Sequence, residues 1–154
     1  MSANAHAARL LATVERSPQA VAVHDRRAWV ELFAPQGQVE DPVGSAPHIG
    51  RSAIERFYDT FIGPNTIVFR VDHDVVCGST VYRDLAIEIT MSTGVTLRVP
   101  MHLRYDLEAA GDQWRIARLY AHWELPVMVG QLLTAGVRGL GAAARLTPRL
   151  LGNQ

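Results

Sequence analysis

The chain spaces its apolar residues by helical turns at first and by strand alternation later. Leu10, Leu11 and Val14 recur at helical spacing, and Ser17-Pro18 then reads as a helix break or as a fresh N-cap with proline in the first turn. Asp25 stands where it would cap a second helix, whose buried stripe is Trp29, Leu32 and Phe33. The segment GRSAIERFYDTFIG carries Ile54, Phe57, Tyr58 and Phe61 at i, i+3, i+4 and i+7, the signature of a third helix. After Gly63-Pro64 the period falls to two. Thr66 to Val76 sets Ile67, Phe69, Val71 and Val75 on one face, and Val81 to Met91 does the same with Val81, Leu85, Ile87, Ile89 and Met91. Val95 to Leu107 alternates most cleanly: Val95, Leu97, Val99, Met101, Leu103, Tyr105 and Leu107 point inward, and Thr96, Arg98, His102, Arg104 and Asp106 outward. Ser92-Thr93-Gly94 and Ala109 to Asp112 read as hairpin turns, and Gln113 to Glu124 as the last strand.

Helices first and strands afterwards predict an α+β domain, with an antiparallel sheet curved around the N-terminal helices and a cone-shaped apolar pocket between them. At 154 residues the chain is one domain's worth. Fifteen basic and fifteen acidic residues leave no net charge, which argues against a nucleic-acid partner. Every basic residue is an arginine. Without lysine there is no Schiff base, no pyridoxal phosphate anchor and no P-loop lysine. The single cysteine, Cys77, excludes an internal disulfide and points to a reducing, cytoplasmic setting. No signal peptide is expected, because Arg9 and Glu15 interrupt the opening stretch. The longest uncharged apolar segment, Leu125 to Val137, is shorter than the ~20 residues a membrane span takes. The histidines (His6, His24, His48, His73, His102, His122) lie far apart, and Asp72 and Asp74 in VDHDV share a strand face but offer only two ligands, so no metal site is expected.

One short stretch carries most of the chemistry. In QVEDPVGS, alternation places Val39 and Asp41 on one face and Glu40 on the other. Pro42 biases Asp41 towards extended backbone and fixes the turn. If Val39 faces the core, Asp41 does too, and burial would raise its pKa and make it a better base near neutrality. The competing reading makes Asp41 only the cap of the Pro-Val-Gly-Ser turn.

The stretch LFAPQGQVEDPVGSAPHIGRSAIERFY, Leu32 to Tyr58, closely resembles the ketosteroid isomerases of the NTF2-like (SnoaL-like) superfamily. HLRYDL and LYAHWE continue the similarity, which covers roughly residues 8 to 125. The resemblance implies a cone-shaped α+β barrel, usually dimeric, in which the aspartate of the Glu-Asp-Pro turn, here Asp41, shuttles a proton. It also implies Tyr58 as the supporting tyrosine and Trp123 as an aromatic lining the pocket. The family's oxyanion hole, a tyrosine and a protonated aspartic acid, matches Ser17 and Met101 here, neither of which can do the same work. Losing one such donor costs about 3 kcal/mol of transition-state stabilisation. Tyr58 turning to direct donation, Ser17 acting through a water, or Tyr120 or His122 entering from the last strand would each offer a repair. His122 alternates with Trp123, so only one of them faces the pocket, and Trp123 is the better candidate.

The implied protein is an isomerase-like enzyme that needs no cofactor and moves a proton on a hydrophobic, steroid-like carbonyl compound. Asp41 is the base, Tyr58 the donor, and Trp29, Phe33, Met101, Leu103, Trp123 and Ser17 the substrate-binding wall. A cyclase, dehydratase or hydrolase reusing Asp41 and a non-catalytic binder of apolar molecules are the rivals. Residues 1–124 form the domain, and 125–154 an extension without acids, carrying Arg138, Arg145 and Arg149. Met128, Leu132, Leu133 and Val137 would make its apolar stripe, Gly136 would end the first helix and Pro148 would stop a second. Packing over the barrel or a dimer seam comes first, a lid over the pocket second, and contact with a membrane surface third.

Overall fold

The computed structural model describes residues 2–136. Its elements run α1 (Ala3–Ala22), α2 (Arg26–Glu31), β1 (Phe33–Glu40), β2 (His48–Ile49), α3 (Arg51–Phe57), a π-helical turn (Tyr58–Ile62), β3 (Thr66–Cys77), β4 (Thr80–Thr90), β5 (Thr96–Ala110), β6 (Gln113–His122) and α4 (Leu125–Thr134). The six strands form one sheet in the order β2-β1-β6-β5-β4-β3. The sheet is antiparallel except where β1 runs parallel to β6, a mixed pairing that the expected antiparallel sheet lacked. The brief strand β2, which pairs with β1, carries no alternation that could have revealed it.

Helix α1 continues through Pro18 where a break was expected. Proline there forfeits one hydrogen bond and crowds the preceding turn. The helix carries on because Leu10, Val14, Ser17 and Val21 form one buried stripe on either side of the proline. Asp25 caps α2 as its position requires, accepting from Ala28 N–H at 2.9 Å. Ile54, Phe57 and Tyr58 turn inward from the third helix, whose last turn widens to π geometry from Tyr58 onward.

Strand β3 departs from simple alternation. A bulge between Val71 and His73 shifts the phase, so Ile67 and Phe69 turn inward before it and Asp74 and Val76 after it. Val71 and Val75, expected inside, are 39% and 50% exposed. The shift brings Asp74 beneath Arg83 of β4. Arg83 Nε and Nη2 donate to the two Asp74 carboxylate oxygens at 2.8 and 2.9 Å, and Nη2 also reaches Glu15 of α1 at 3.0 Å. Arg83, a residue only 2% exposed, thus joins helix and sheet.

Beyond its pairing with β6, strand β5 runs on alone along one edge, because His102 opposite His122 is the last paired position. Helix α4 covers that edge. The Gln131 side chain accepts from Arg98 N–H at 2.7 Å and donates to Arg98 C=O at 2.5 Å, as a neighbouring strand would. Met128 and Leu132 are buried, whereas Leu133 is 56% exposed. Leu133 lies one residue, about 100°, round the helix from Leu132, so the stripe is narrower than expected. Gly136, at φ +70°, ends the helix. Val137, Arg138, Arg145, Pro148 and Arg149 lie outside the described residues. Among the described residues, no helix is long and apolar enough to cross a membrane.

Replacing Gln131 with alanine removes both bonds to Arg98 and loosens α4. Denaturant titration should show a loss of roughly 1–2 kcal/mol. An unchanged midpoint would mean that α4 docks without this amide.

Candidate active site

A cavity of about 270 Å³ opens between the concave face of the sheet and the helices. It lies near the small end of the ~300–1,000 Å³ range of ligand pockets, a size for one compact molecule. Its wall is mostly apolar, with Leu97, Met101 and Leu103 of β5, Ile87 and Ile89 of β4, and Met128 of α4 among the lining. Met101 and Leu103 therefore line it as their alternation implied, as do Ser17, Trp29 and Trp123.

Asp41 enters this wall from the end of β1. Val39 on the same face is fully buried, while Glu40 turns the other way and accepts from Gly44 N–H at 2.7 Å. The turn beyond is closed by Ser45 Oγ donating to Pro42 C=O at 2.7 Å, and tied to β6 by Val43 N–H donating to Ala121 C=O at 2.8 Å. The Asp41-Pro42 peptide is cis. Trp123 Nε1 donates to Asp41 Oδ1 at 2.6 Å, which orients the carboxyl. Loss of hydration pushes the Asp41 carboxyl up to about 6, and the indole hydrogen bond restrains the rise. Among the described residues Asp41 alone brings a carboxylate to this lining, and near neutrality it is ionised yet basic enough to take a proton from carbon.

Two of the expected residues stand elsewhere. Tyr58 is buried but does not line the cavity; its ring packs on Trp29 at 5.6 Å between centroids, and its hydroxyl has no hydrogen-bond partner. Burial raises its pKa, with Asp25 and Asp59 adding to the rise and Arg26 opposing it. Phe33 also packs on Trp29, at 4.8 Å, and is absent from the wall. Both residues support Trp29, because a ring of that size fills the layer between them and the cavity. Tyr120 and His122 are likewise absent from the cavity lining.

The structure adds a polar group at the other side of the cavity that no motif had marked. Trp29 Nε1 donates to Ser17 Oγ at 3.0 Å. Beside Ser17, whose hydroxyl acts on it, lies the phenol of Tyr105, wholly buried, its own proton without an acceptor among the described residues. Burial pushes the Tyr105 phenol up to about 12, and Arg83 and Ser17 restrain it. The signal in the sequence was Arg83 itself, a charge at an inward position between Val81 and Leu85.

A helix-filled, strongly bent sheet with one acid in an apolar cavity defines the NTF2-like α+β class. The chain belongs to the SnoaL-like family, whose domain model matches residues 14–126. Among solved structures, the Δ5-3-ketosteroid isomerase from Mycobacterium sp. is 27% identical, with 77% of this chain and 95% of that chain covered and a TM-score of 0.71. RV0760c from Mycobacterium tuberculosis in complex with estradiol-17β-hemisuccinate is 23% identical over 77% and 96%, with the same TM-score of 0.71. SalBIII, an epoxide hydrolase/cyclase-like enzyme of pyran ring formation in the polyether salinomycin, is 21% identical over 77% and 92%, at 0.69. The last two show the shared fold alone. No curated protein matches.

Two measurements follow for Asp41. Trp123→Phe removes the donor that restrains its pKa, so carboxyl-detected NMR titration should place it above its wild-type value. A group raised in the folded state contributes stability that is complete below its unfolded pKa and is lost as pH rises through about 6. Asp41→Asn should therefore be stabilising above pH ~6, by at most ~3 kcal/mol, and neutral below pH ~4. An unshifted melting temperature at pH 8 would mean a solvated carboxylate.

Proposed function

We propose that the protein binds an apolar, steroid-like carbonyl compound in the cavity and moves a proton on it, with Asp41 as the base. The single observation that carries this reading is a carboxylate on an otherwise apolar wall, held by Trp123 and raised to about 6. Asp41 removes a proton from the carbon beside the carbonyl, the C–H electron pair becomes the enolate double bond, and the charge collects on oxygen. The proton then returns from Asp41 to a conjugated carbon, so nothing is consumed and no cofactor is required. Met101, on the cavity wall, offers the enolate oxygen no hydrogen bond, so the oxygen has one donor fewer than a two-donor site and turnover should be slow. The ketosteroid isomerase neighbour supports the substrate class, and the same reading takes the protein to be a cytoplasmic homodimer.

A Δ5-3-ketosteroid should be converted slowly to its conjugated enone, followed by absorbance. The rate should rise with pH through about 6, because the base must be ionised. Asp41→Asn should reduce turnover by a factor of about 10² to 10⁴ while leaving steroid affinity nearly unchanged. Steroid binding with no turnover, or turnover indifferent to Asp41→Asn, would replace the enzyme reading with a binder of apolar ligands.

A further inference from the structure

We infer that Tyr105, backed by Ser17, is the donor that receives the ligand's oxygen, so that a ligand lies with its carbonyl or hydroxyl at Tyr105 and its reacting carbon towards Asp41. This inference rests on the proposed reading of the cavity and gives it an orientation.

The argument begins with an imbalance. A buried hydroxyl without a partner costs about 1–3 kcal/mol, so folded proteins rarely keep one without use for it. The Tyr105 O–H is such a donor: Ser17 acts on its oxygen, but among the described residues its proton meets no acceptor, and Tyr105 lines the cavity although 0% of its surface is exposed. Among the described residues, two other buried hydroxyls lack partners. Tyr58 does not line the cavity, and Thr93 does so only from the β4–β5 turn, far along β5 from Tyr105 and from the Asp41 end. Of the three, Tyr105 is the one that register puts nearest Asp41.

The neighbours make Tyr105 a donor. Ser17 Oγ accepts the Trp29 N–H, which leaves the serine's own proton free to point at the phenol oxygen. Arg83 sits in register with Leu103, one inward position along the sheet from Tyr105, whose own partner is Val81, and its positive charge acts on the phenol. Both polarise the O–H towards an incoming acceptor. Burial keeps the phenol protonated at physiological pH, so it donates throughout the range in which Asp41 is a base.

Sheet register places the two groups apart at a useful distance. Asp41 follows Glu40, which is paired with Tyr120, and Tyr105 is paired with Leu119. That is two strands across and one inward step along, about 12 Å between Cα atoms, with both side chains turned into the same concavity. A ring with its oxygen on Tyr105 therefore presents the carbons next to that oxygen towards Asp41.

The probes are 2-naphthol, an apolar bicycle ending in one oxygen, and naphthalene, which lacks it; both are titrated by fluorescence against the full chain. Wild-type protein should bind naphthol about tenfold more tightly than naphthalene, the worth of one buried hydrogen bond. Tyr105→Phe should remove that gap by weakening naphthol alone, with naphthalene affinity unchanged as the sign that the cavity is intact. Asp41→Asn should keep the gap. A gap that survives Tyr105→Phe and vanishes in Asp41→Asn would place the oxygen at Asp41, overturning this inference and leaving the cavity and its acid intact. A gap that survives in both variants would place the oxygen at neither residue and overturn it as well. If neither aromatic binds wild-type protein, the proposed function fails first, and the orientation with it.

Discussion

A guanidinium removed from water needs compensating charge on every side it can find, and Arg83 sets that condition for this fold. Its partners come from α1 and β3, elements far apart in the chain, so the one side chain ties helix to sheet. Removing one partner of such a group leaves a buried charge exposed to the full cost of its lost hydration, commonly ~3–5 kcal/mol. Once α1 is placed, Ser17 follows, and Trp29 reaches it from α2. The floor of the cavity is thus laid by an ion cluster that takes no part in its lining.

The wall has a different origin. Met101, Leu103, Leu97 and the β4 isoleucines arrive by plain alternation along two long strands, and they shape a volume without specifying chemistry. Against that background a single carboxylate dominates the electrostatics. Asp41 is held by a turn stapled to β6 and by one indole, so its orientation depends on backbone as much as on side chains.

Much of this was legible in the chain. The α+β order, the two hairpin turns and the inward face of β5 follow from spacing alone, and Asp41 sharing a face with Val39 follows from parity. What spacing could not reveal involved exceptions to periodicity. Pro18 looks like a terminator to any local rule, and only the buried stripe on both sides of it keeps α1 whole. The bulge at Asp72 reverses the parity of β3 and sends Val75 outward. Tyr58 and Phe33 have the right composition for a pocket, yet the third dimension puts both behind Trp29. Tyr105 sat in plain view among inward residues, but a tyrosine on a core face announces no role until its proton is found to lack an acceptor among the described residues.

The bulge in β3 also divides labour along one strand. Ile67 and Phe69, before it, help to shape the cavity; Asp74, after it, anchors the arginine. Because the phase resets between them, the two halves answer to separate demands. Residues in the first half can change size to suit a different ligand without disturbing the ion cluster that fixes the helix. A strand built this way lets descendants of the sequence exchange cargo while inheriting the same frame.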